Sequence, residues 1–257
     1  MVTLINQELF KLMHKKSTYF ATILLIGLMS LFAGLAKAYP KYFDAKSLFS
    51  SNFTGIEWIV FFMIAGCGAI VSMEFQYGTV KELLYRKYNR GQVIMSKWIT
   101  MFFYSVYLYV LSFVWTLILK VALFSNTFDL AKVGRNGHTL LENLGITMGG
   151  NFIGLWLILT LVLLLATLFK NATVAVSVGI IGYFASSIVA SLMFMLIAKW
   201  EWLKWNPINM LNLSSQVVDS SYKVLTKLSV EQLVWGNLGY IVVFLFFGYL
   251  IFKKRNV

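Results

Sequence analysis

Between Trp98 and Leu119 the chain reads WITMFFYSVYLYVLSFVWTLIL, a run without one charged side chain. At 1.5 Å per residue it makes a helix roughly 33 Å long, enough for a bilayer hydrocarbon core about 30 Å thick. A run this long and this apolar reads as a membrane span rather than a buried core helix. Five further stretches qualify by the same measure: Tyr19–Ala36, Trp58–Met73, Phe152–Phe169, Ala172–Ala198 and Leu233–Phe252. The expectation is an all-α membrane protein, a single transmembrane domain over residues 1–257 with six spans. The second span, framed by Glu57 and Glu74, is the shortest, and the fifth is long enough to tilt or kink.

Composition agrees with this reading. Of the 257 residues, 59% are hydrophobic and 12% charged, against about 45–50% and 25% for soluble domains. A soluble enzyme domain is excluded. The net charge of +12 comes from 22 Lys and Arg against 10 Asp and Glu. These charges are thinly spread between apolar runs, so they read as topology signals and not as a nucleic-acid surface.

One set of basic residues is crowded into short segments: Lys11, Lys15 and Lys16 before the first span; Lys81, Arg86, Lys87, Arg90 and Lys97 between the second and third. Lys170 follows the fourth span, and Lys253, Lys254 and Arg255 follow the sixth. Positive residues in short loops stay on the cytoplasmic side. The expected location is therefore the cell membrane, multi-pass, with both termini cytoplasmic.

Residues 1–17 carry Val2, Ile5, Leu9 and Leu12 on one helical face, with Gln7, Lys11, His14 and Lys15 elsewhere. That pattern predicts an interfacial helix lying on the cytoplasmic leaflet. The 18-residue apolar run after it exceeds a signal-peptide core, and is read as the first span although Ala36-Lys37-Ala38 resembles a cleavage site. Between spans five and six, Trp200, Trp202 and Trp205 read as interfacial anchors, and Pro207 interrupts any continuing helix. Val218, Tyr222, Leu225 and Leu228 then share a helical face, which predicts a short amphipathic helix on the outer leaflet.

Several chemistries are missing. The acidic residues and both histidines fall at span ends or in loops, whereas ion-coupled transporters need an ionisable group within the membrane. His14 and His138 have no carboxylate partners at ligand spacing, and Cys67 is the only cysteine, so no metal site is expected. No GxxxxGK[ST] loop occurs, so the chain binds no nucleotide of its own. Gly150 and Gly154 form a G-x-x-x-G for close helix packing, read as an intrachain contact before a dimer contact. Asn52-Phe53-Thr54 and Asn212-Leu213-Ser214 match the glycosylation pattern but are given no role. In the third span Tyr104, Tyr107, Leu111 and Trp115 fall on one stripe. Packing or lipid contact is the plainer reading; the sharper one has Tyr104, Tyr107 and Trp115 lining a cavity for an amphipathic substrate.

The segment from Glu74 to Arg90 reads EFQYGTVKELLYRKYNR. Gly78 permits a sharp turn, Thr79 can cap a helix, and Glu82 completes a capping box. A short helix from Val80 to Tyr88 would present Val80, Leu84 and Tyr88 on one side, with Lys81, Arg86 and Lys87 pointing elsewhere. Such a knob suits docking with a partner protein; a basic loop held at anionic headgroups is the alternative.

Here the sequence resembles the ABC-2 type permeases, the membrane subunits of one class of ATP-driven exporters. The family pattern runs roughly Glu, three residues, Gly-Thr, a Leu-Leu pair, a Pro-x-Ser-Arg turn and a Lys entering the third span. Glu74, Gly78, Thr79, Leu83, Leu84, Arg90 and Lys97 stand at matching places. Lys87 stands where proline is usual and Asn89 where serine is usual, which leaves the geometry of that turn open.

The resemblance implies that the cytoplasmic coupling helix (Glu74, Gly78, Thr79, Val80, Lys81, Glu82, Leu83, Leu84, Tyr88, Arg90) touches a separate ATPase subunit that holds ATP and Mg. It implies a second permease copy or a related permease, and a gate region in the loop before the last span. Among its members the chain looks most like small Gram-positive permeases for bacteriocins and other amphipathic peptides. The expected function is export of amphipathic peptides by a chain that is itself not an enzyme. Glu74 would anchor the coupling helix by pairing with Lys81 or Arg86. The alternative is an accessory or immunity membrane protein that binds peptide or lipid without ATP-driven transport.

Overall fold

The computed structural model describes residues 1–76, 88–133, 137–169 and 171–254. The described residues are almost entirely helical and contain no strand, only one isolated bridge between Val133 and Thr139. In chain order the helices are α1 (Val2–Met13), α2 (Lys16–Ala38), α3 (Ala45–Ser50), α4 (Gly55–Gln76), α5 (Arg90–Phe124) and α6 (Leu140–Leu168). They continue with α7 (Ala172–Lys199), α8 (Pro207–Met210), α9 (Leu213–Val218), α10 (Tyr222–Thr226) and α11 (Val230–Lys254), with 3-10 turns at Asn52–Thr54 and Glu201–Trp205. Six of them, α2, α4, α5, α6, α7 and α11, are long and apolar enough to cross a membrane. The six expected spans are present, and most are longer than hydropathy alone places them.

Caps explain the difference. Helix α6 starts at Leu140 and not near Phe152, because Thr139 and Glu142 form a reciprocal capping box: Thr139 N–H donates to Glu142 Oε2 at 2.7 Å and Glu142 N–H to Thr139 Oγ1 at 3.2 Å. Ser229 and Gln232 do the same before α11, at 2.9 and 3.1 Å. At the start of α5, Asn89 N–H donates to Gln92 Oε1 at 3.1 Å, while the Asn89 carbonyl accepts from the N–H groups of Gln92 and Val93. Each box satisfies amides that a helix start leaves orphaned. Asn171 caps α7 by accepting from Thr173 N–H at 2.8 Å.

The chain divides into two compact units. One comprises Leu9–Phe62 and Phe102–Gly149. Here α2 buries Ala21, Leu25, Met29, Ala33 and Ala36, a stripe at helical spacing, and packs against α3 and the Asn52–Thr54 turn. That turn is unusual: Asn52, Phe53 and Thr54 all have positive φ, at 57°, 46° and 64°. Left-handed backbone is costly for non-glycine residues, most of all for a β-branched one.

Tertiary contacts hold the turn in place. Phe53 is fully buried, stacked on Phe124 at 6.0 Å and edge-on to Phe49 at 6.3 Å. Asn52 is also fully buried; its amide donates to Ser112 Oγ at 2.9 Å and its carbonyl accepts from Thr116 Oγ1. The acceptor pattern at Asn52 is therefore a structural clamp. Replacing Asn52 with alanine takes the acceptor from the buried Thr116 hydroxyl and a donor from Ser112, which keeps its bond to the Tyr109 carbonyl, and releases the left-handed turn, at an expected cost of about 1–3 kcal/mol. Thermal unfolding in detergent checks this, and an unchanged midpoint would contradict it.

The second unit comprises Met1–Glu8, Met63–Met101 and Gly150–Val257. Close approach at glycine builds it. A Cβ on Gly68 would sit 2.6 Å from Val176, and one on Gly179 would sit 2.8 Å from Ile64 and 2.9 Å from Val162. Helix α7 is otherwise loosely held: Ala175, Gly179 and Ile197 are its buried residues. Leu157, Met210, Leu213, Leu228 and Leu233 form the core beneath the segment between α7 and α11.

That segment does not carry the expected short amphipathic helix through Val218, Tyr222, Leu225 and Leu228 unbroken. It is four short pieces, and Val218 and Leu225 are exposed while Leu228 is buried. It packs well along its neighbours. Ser214 lies against Gly150, roughly 15 Å down α6 from its start, and Met210 lies against Gly236 of α11. Backbone that is buried and not helical needs hydrogen-bond partners from the protein.

Buried amides supply them. Asn209 donates to the carbonyls of Lys204 (2.7 Å) and Thr226 (3.0 Å), Gln216 to that of Leu228 (2.8 Å) and Asn237 to that of Met210 (2.8 Å). Thr226 Oγ1 donates to Gln216 Oε1 at 2.6 Å. Asn206 caps α8 ahead of Pro207, which occupies the first helical position where its missing N–H costs nothing.

Candidate functional site

The coupling residues expected from sequence fall on a stretch that is only partly described. Gly78, Thr79, Val80, Lys81, Glu82, Leu83 and Leu84 lie outside the described residues, as do Arg86 and Lys87. Glu74 lies in the last turn of α4. The described part begins again at Tyr88, half-buried, followed by Asn89 and then Arg90, the first residue of α5. Asn89 accepts the first α5 amides through its carbonyl, so the asparagine at the usual serine position leaves the helix start intact.

Two anchors tie the start of α5 to other elements of the same unit. The Arg90 guanidinium donates to the carbonyl of Lys253, in the last turn of α11, at 3.2 Å. Two turns further on, Lys97 Nζ lies 2.8 Å from Glu8 Oε2 of α1, and both side chains are almost wholly buried. Sequence reasoning placed Lys97 before the third span, among the loop charges. Since α5 begins at Arg90, Lys97 is instead a buried helical residue holding a buried carboxylate.

The same pair adds to the expected face of α1, of which Ile5, Leu9 and Leu12 are half-buried. Its buried residues are Leu4 and Glu8, whereas Val2 is 71% exposed. A buried ion pair needs both partners in place, because an isolated buried charge is far more costly than the pair. The sequence signal was present in Glu8, the one acid in α1, four residues from Leu4 on the same face.

Between these anchors lies an open cavity of about 520 Å³ lined by Met1, Arg90, Gly91, Met95, Tyr249 and Lys253, among others. The Tyr249 ring lies over Gly91, where an added Cβ would sit 2.7 Å from it. The N-terminus, the start of α5 and the end of α11 thus meet on one face of this unit.

The aromatic stripe of α5 divides in the structure. Tyr104 is buried and its ring stacks on that of Tyr107 at 6.2 Å, while Tyr107 is exposed and Trp115 Nε1 donates to Ser30 Oγ at 3.0 Å. The residues between them, Leu108, Ser112 and Thr116, form the inner face. None of the three expected cavity residues lines the cavity at Arg90, the basic one at Lys46, Lys120 and Lys132, or the apolar one between α6 and α7.

Elsewhere, Trp200, Trp202 and Trp205 are exposed, as interfacial anchors require. Gly150 makes an intrachain contact, and a Cβ on Gly154 would meet nothing. Asp219 accepts from Ser221 N–H at 2.9 Å, and that bond and the Ser221 hydroxyl hold its carboxyl below the usual carboxylate range. No group of three or more potential metal ligands occurs among the described residues.

Residues 28–257 match the family described as protein of unknown function (DUF2705). An uncharacterized protein of Bacillus subtilis (strain 168), YhcI, is 26% identical over 216 residues, covering 81% of this chain and 67% of that protein. An uncharacterized membrane protein of the same organism, YdbK, is 34% identical over 131 residues, covering 51% of each.

Proposed function

We propose a transport role for this chain, which belongs to the DUF2705 family of proteins of unknown function and is a multi-pass membrane protein. In this reading it is the transmembrane subunit of an ATP-binding-cassette exporter that moves amphipathic peptides out of the cell. A separate cytoplasmic ATPase binds ATP and Mg, and a second permease copy or a related permease completes the pathway. Both termini are cytoplasmic.

The observation that carries the reading is the spacing Glu74, Gly78-Thr79, Leu83-Leu84, Arg90, Lys97, together with what its described end is attached to. Arg90 reaches the end of α11 and Lys97 the buried face of α1. A force applied to the segment before Tyr88 therefore enters α5 and is shared at once with α1 and α11. That is what a coupling element has to do: differential contact with two states of a partner can bias the spans only through rigid connections. The crowding of Met1, Arg90 and Lys253 around one cavity supports placing both termini on the same side as this segment.

The exposed stripe of α7, Ile181, Phe184, Ile188, Leu192 and Met195, supplies surface for lipid or a second permease. Inside-out vesicles from cells carrying the chain and its ATPase test the reading with a fluorescent amphipathic helical peptide. ATP-dependent accumulation in the lumen is expected. Binding that saturates without ATP dependence would favour the accessory or immunity reading instead.

A further inference from the structure

Helices α6 and α7 part company partway along their length. At Gly179 they touch so closely that a Cβ would collide with Val162, yet one turn later a Cβ on Gly182 would meet nothing within 4 Å. The gap that opens is an apolar cavity of about 300 Å³, walled by Leu157 and Leu161 of α6 and Gly182 of α7. Ile208 of α8 and Phe244 of α11 close it. The hydroxyl of Ser186, also on its wall, is turned back onto the Tyr183 carbonyl at 2.6 Å and has no proton left to donate to an occupant.

Water, which needs two to four polar partners, would find too few on walls that are almost wholly apolar. An apolar cavity of about half this volume stays dry and takes up benzene. The occupant must therefore be apolar, and the mouth of the cavity says where it comes from. Leu161 and Val178, both lining residues, are 41% and 38% exposed on the flanks of two membrane-spanning helices. What meets them outside the protein is the hydrocarbon of the bilayer.

We propose that one acyl chain of a membrane lipid inserts sideways between α6 and α7 at Gly182 and lies beneath α8. Moving a chain from bilayer to protein yields no hydrophobic gain, because both are apolar. What it yields is dispersion contact for walls that otherwise face a void. The chain is accordingly an exchanging occupant drawn from bulk lipid. It fills the wedge that opens where α6 and α7, in close contact at Gly179, part at Gly182. This site stands whether or not the chain works with an ATPase.

The test uses the full chain in phosphatidylglycerol vesicles containing a small fraction of the same lipid with a diazirine on its acyl chain. After illumination, adducts are mapped by mass spectrometry. Adducts at Leu161, Val178 and Gly182 are expected several-fold above those at Ile188 and Met195, although the latter are more exposed. Gly182→Leu, whose side chain would take the empty space, should abolish that enrichment and leave labelling at Ile188 and Met195 unchanged; Gly182→Ala should reduce it partly.

Labelling of the unsubstituted protein that follows exposure alone would overturn the proposal without recourse to either variant. So would labelling of these residues by a diazirine-bearing amphipathic peptide and not by the lipid.

Discussion

Lys97→Met should be among the most damaging single substitutions in the described chain. It leaves the Glu8 carboxylate buried without its ammonium, 2.8 Å away in the intact protein. Removing one partner of a buried pair costs about 3–5 kcal/mol, whereas replacing both with apolar residues of similar volume is often close to neutral. The double variant Glu8→Leu, Lys97→Met should therefore recover at least half of what the single one loses. Unfolding midpoints in detergent, read for the two singles and the double, check this. Equal losses in the single and double variants would show that the pair does not act as a unit.

The second large effect is expected at Asn209→Leu. This side chain is fully buried and donates to two carbonyls, those of Lys204 and Thr226, in the turns that flank α8 and follow α10. Leucine is close in volume, so packing changes little, but two carbonyls lose their donors, that of Thr226 in a wholly buried position. At roughly 1–3 kcal/mol for each stranded group, the loss is about 2–6 kcal/mol.

The loss should be local at first. Limited proteolysis is expected to cut between Trp200 and Ser229 well before the spans unfold, because the segment's own helices are too short to persist alone. Asn209→Asp, which keeps the acceptor but not the donors, should behave like the leucine variant. Resistance to proteolysis equal to that of the unsubstituted protein would contradict the account of the amide network.

The spans were legible because each is a long apolar run and lipid demands that its backbone be satisfied internally. Their ends were less so when hydropathy alone was consulted, since the ends lie beyond the hydrocarbon. The cues were nonetheless in the sequence: Thr139 with Glu142 and Ser229 with Gln232 stand at capping-box spacing, and both boxes form.

Other features could not be read from any window. The partnership of Glu8 and Lys97 joins residues 89 positions apart. The burial of Asn52 depends on Ser112 and Thr116 lying on the inner face of α5. On α1 the face through Ile5, Leu9 and Leu12 is half-buried as expected, and Glu8 is buried beside it because Lys97 meets it there. The short pieces between α7 and α11 defeated helical periodicity because buried amides, not an apolar stripe, hold them. The stripe through Tyr104, Tyr107 and Trp115 does not share one environment: Tyr104 is buried, as Ser112 and Thr116 are, while Tyr107 is exposed.

The central claim is that the segment between α4 and α5 joins this chain to an ATPase. The direct measurement is purification of the chain from its native membrane in mild detergent, with mass spectrometry of the soluble protein that stays bound. It is repeated with Leu84→Asp and Tyr88→Asp. Co-purification of a P-loop ATPase with the unsubstituted chain, lost in the two variants while the membrane domain stays folded, is the predicted result. A folded chain that brings down no ATPase, or one that both variants retain in full, would contradict it.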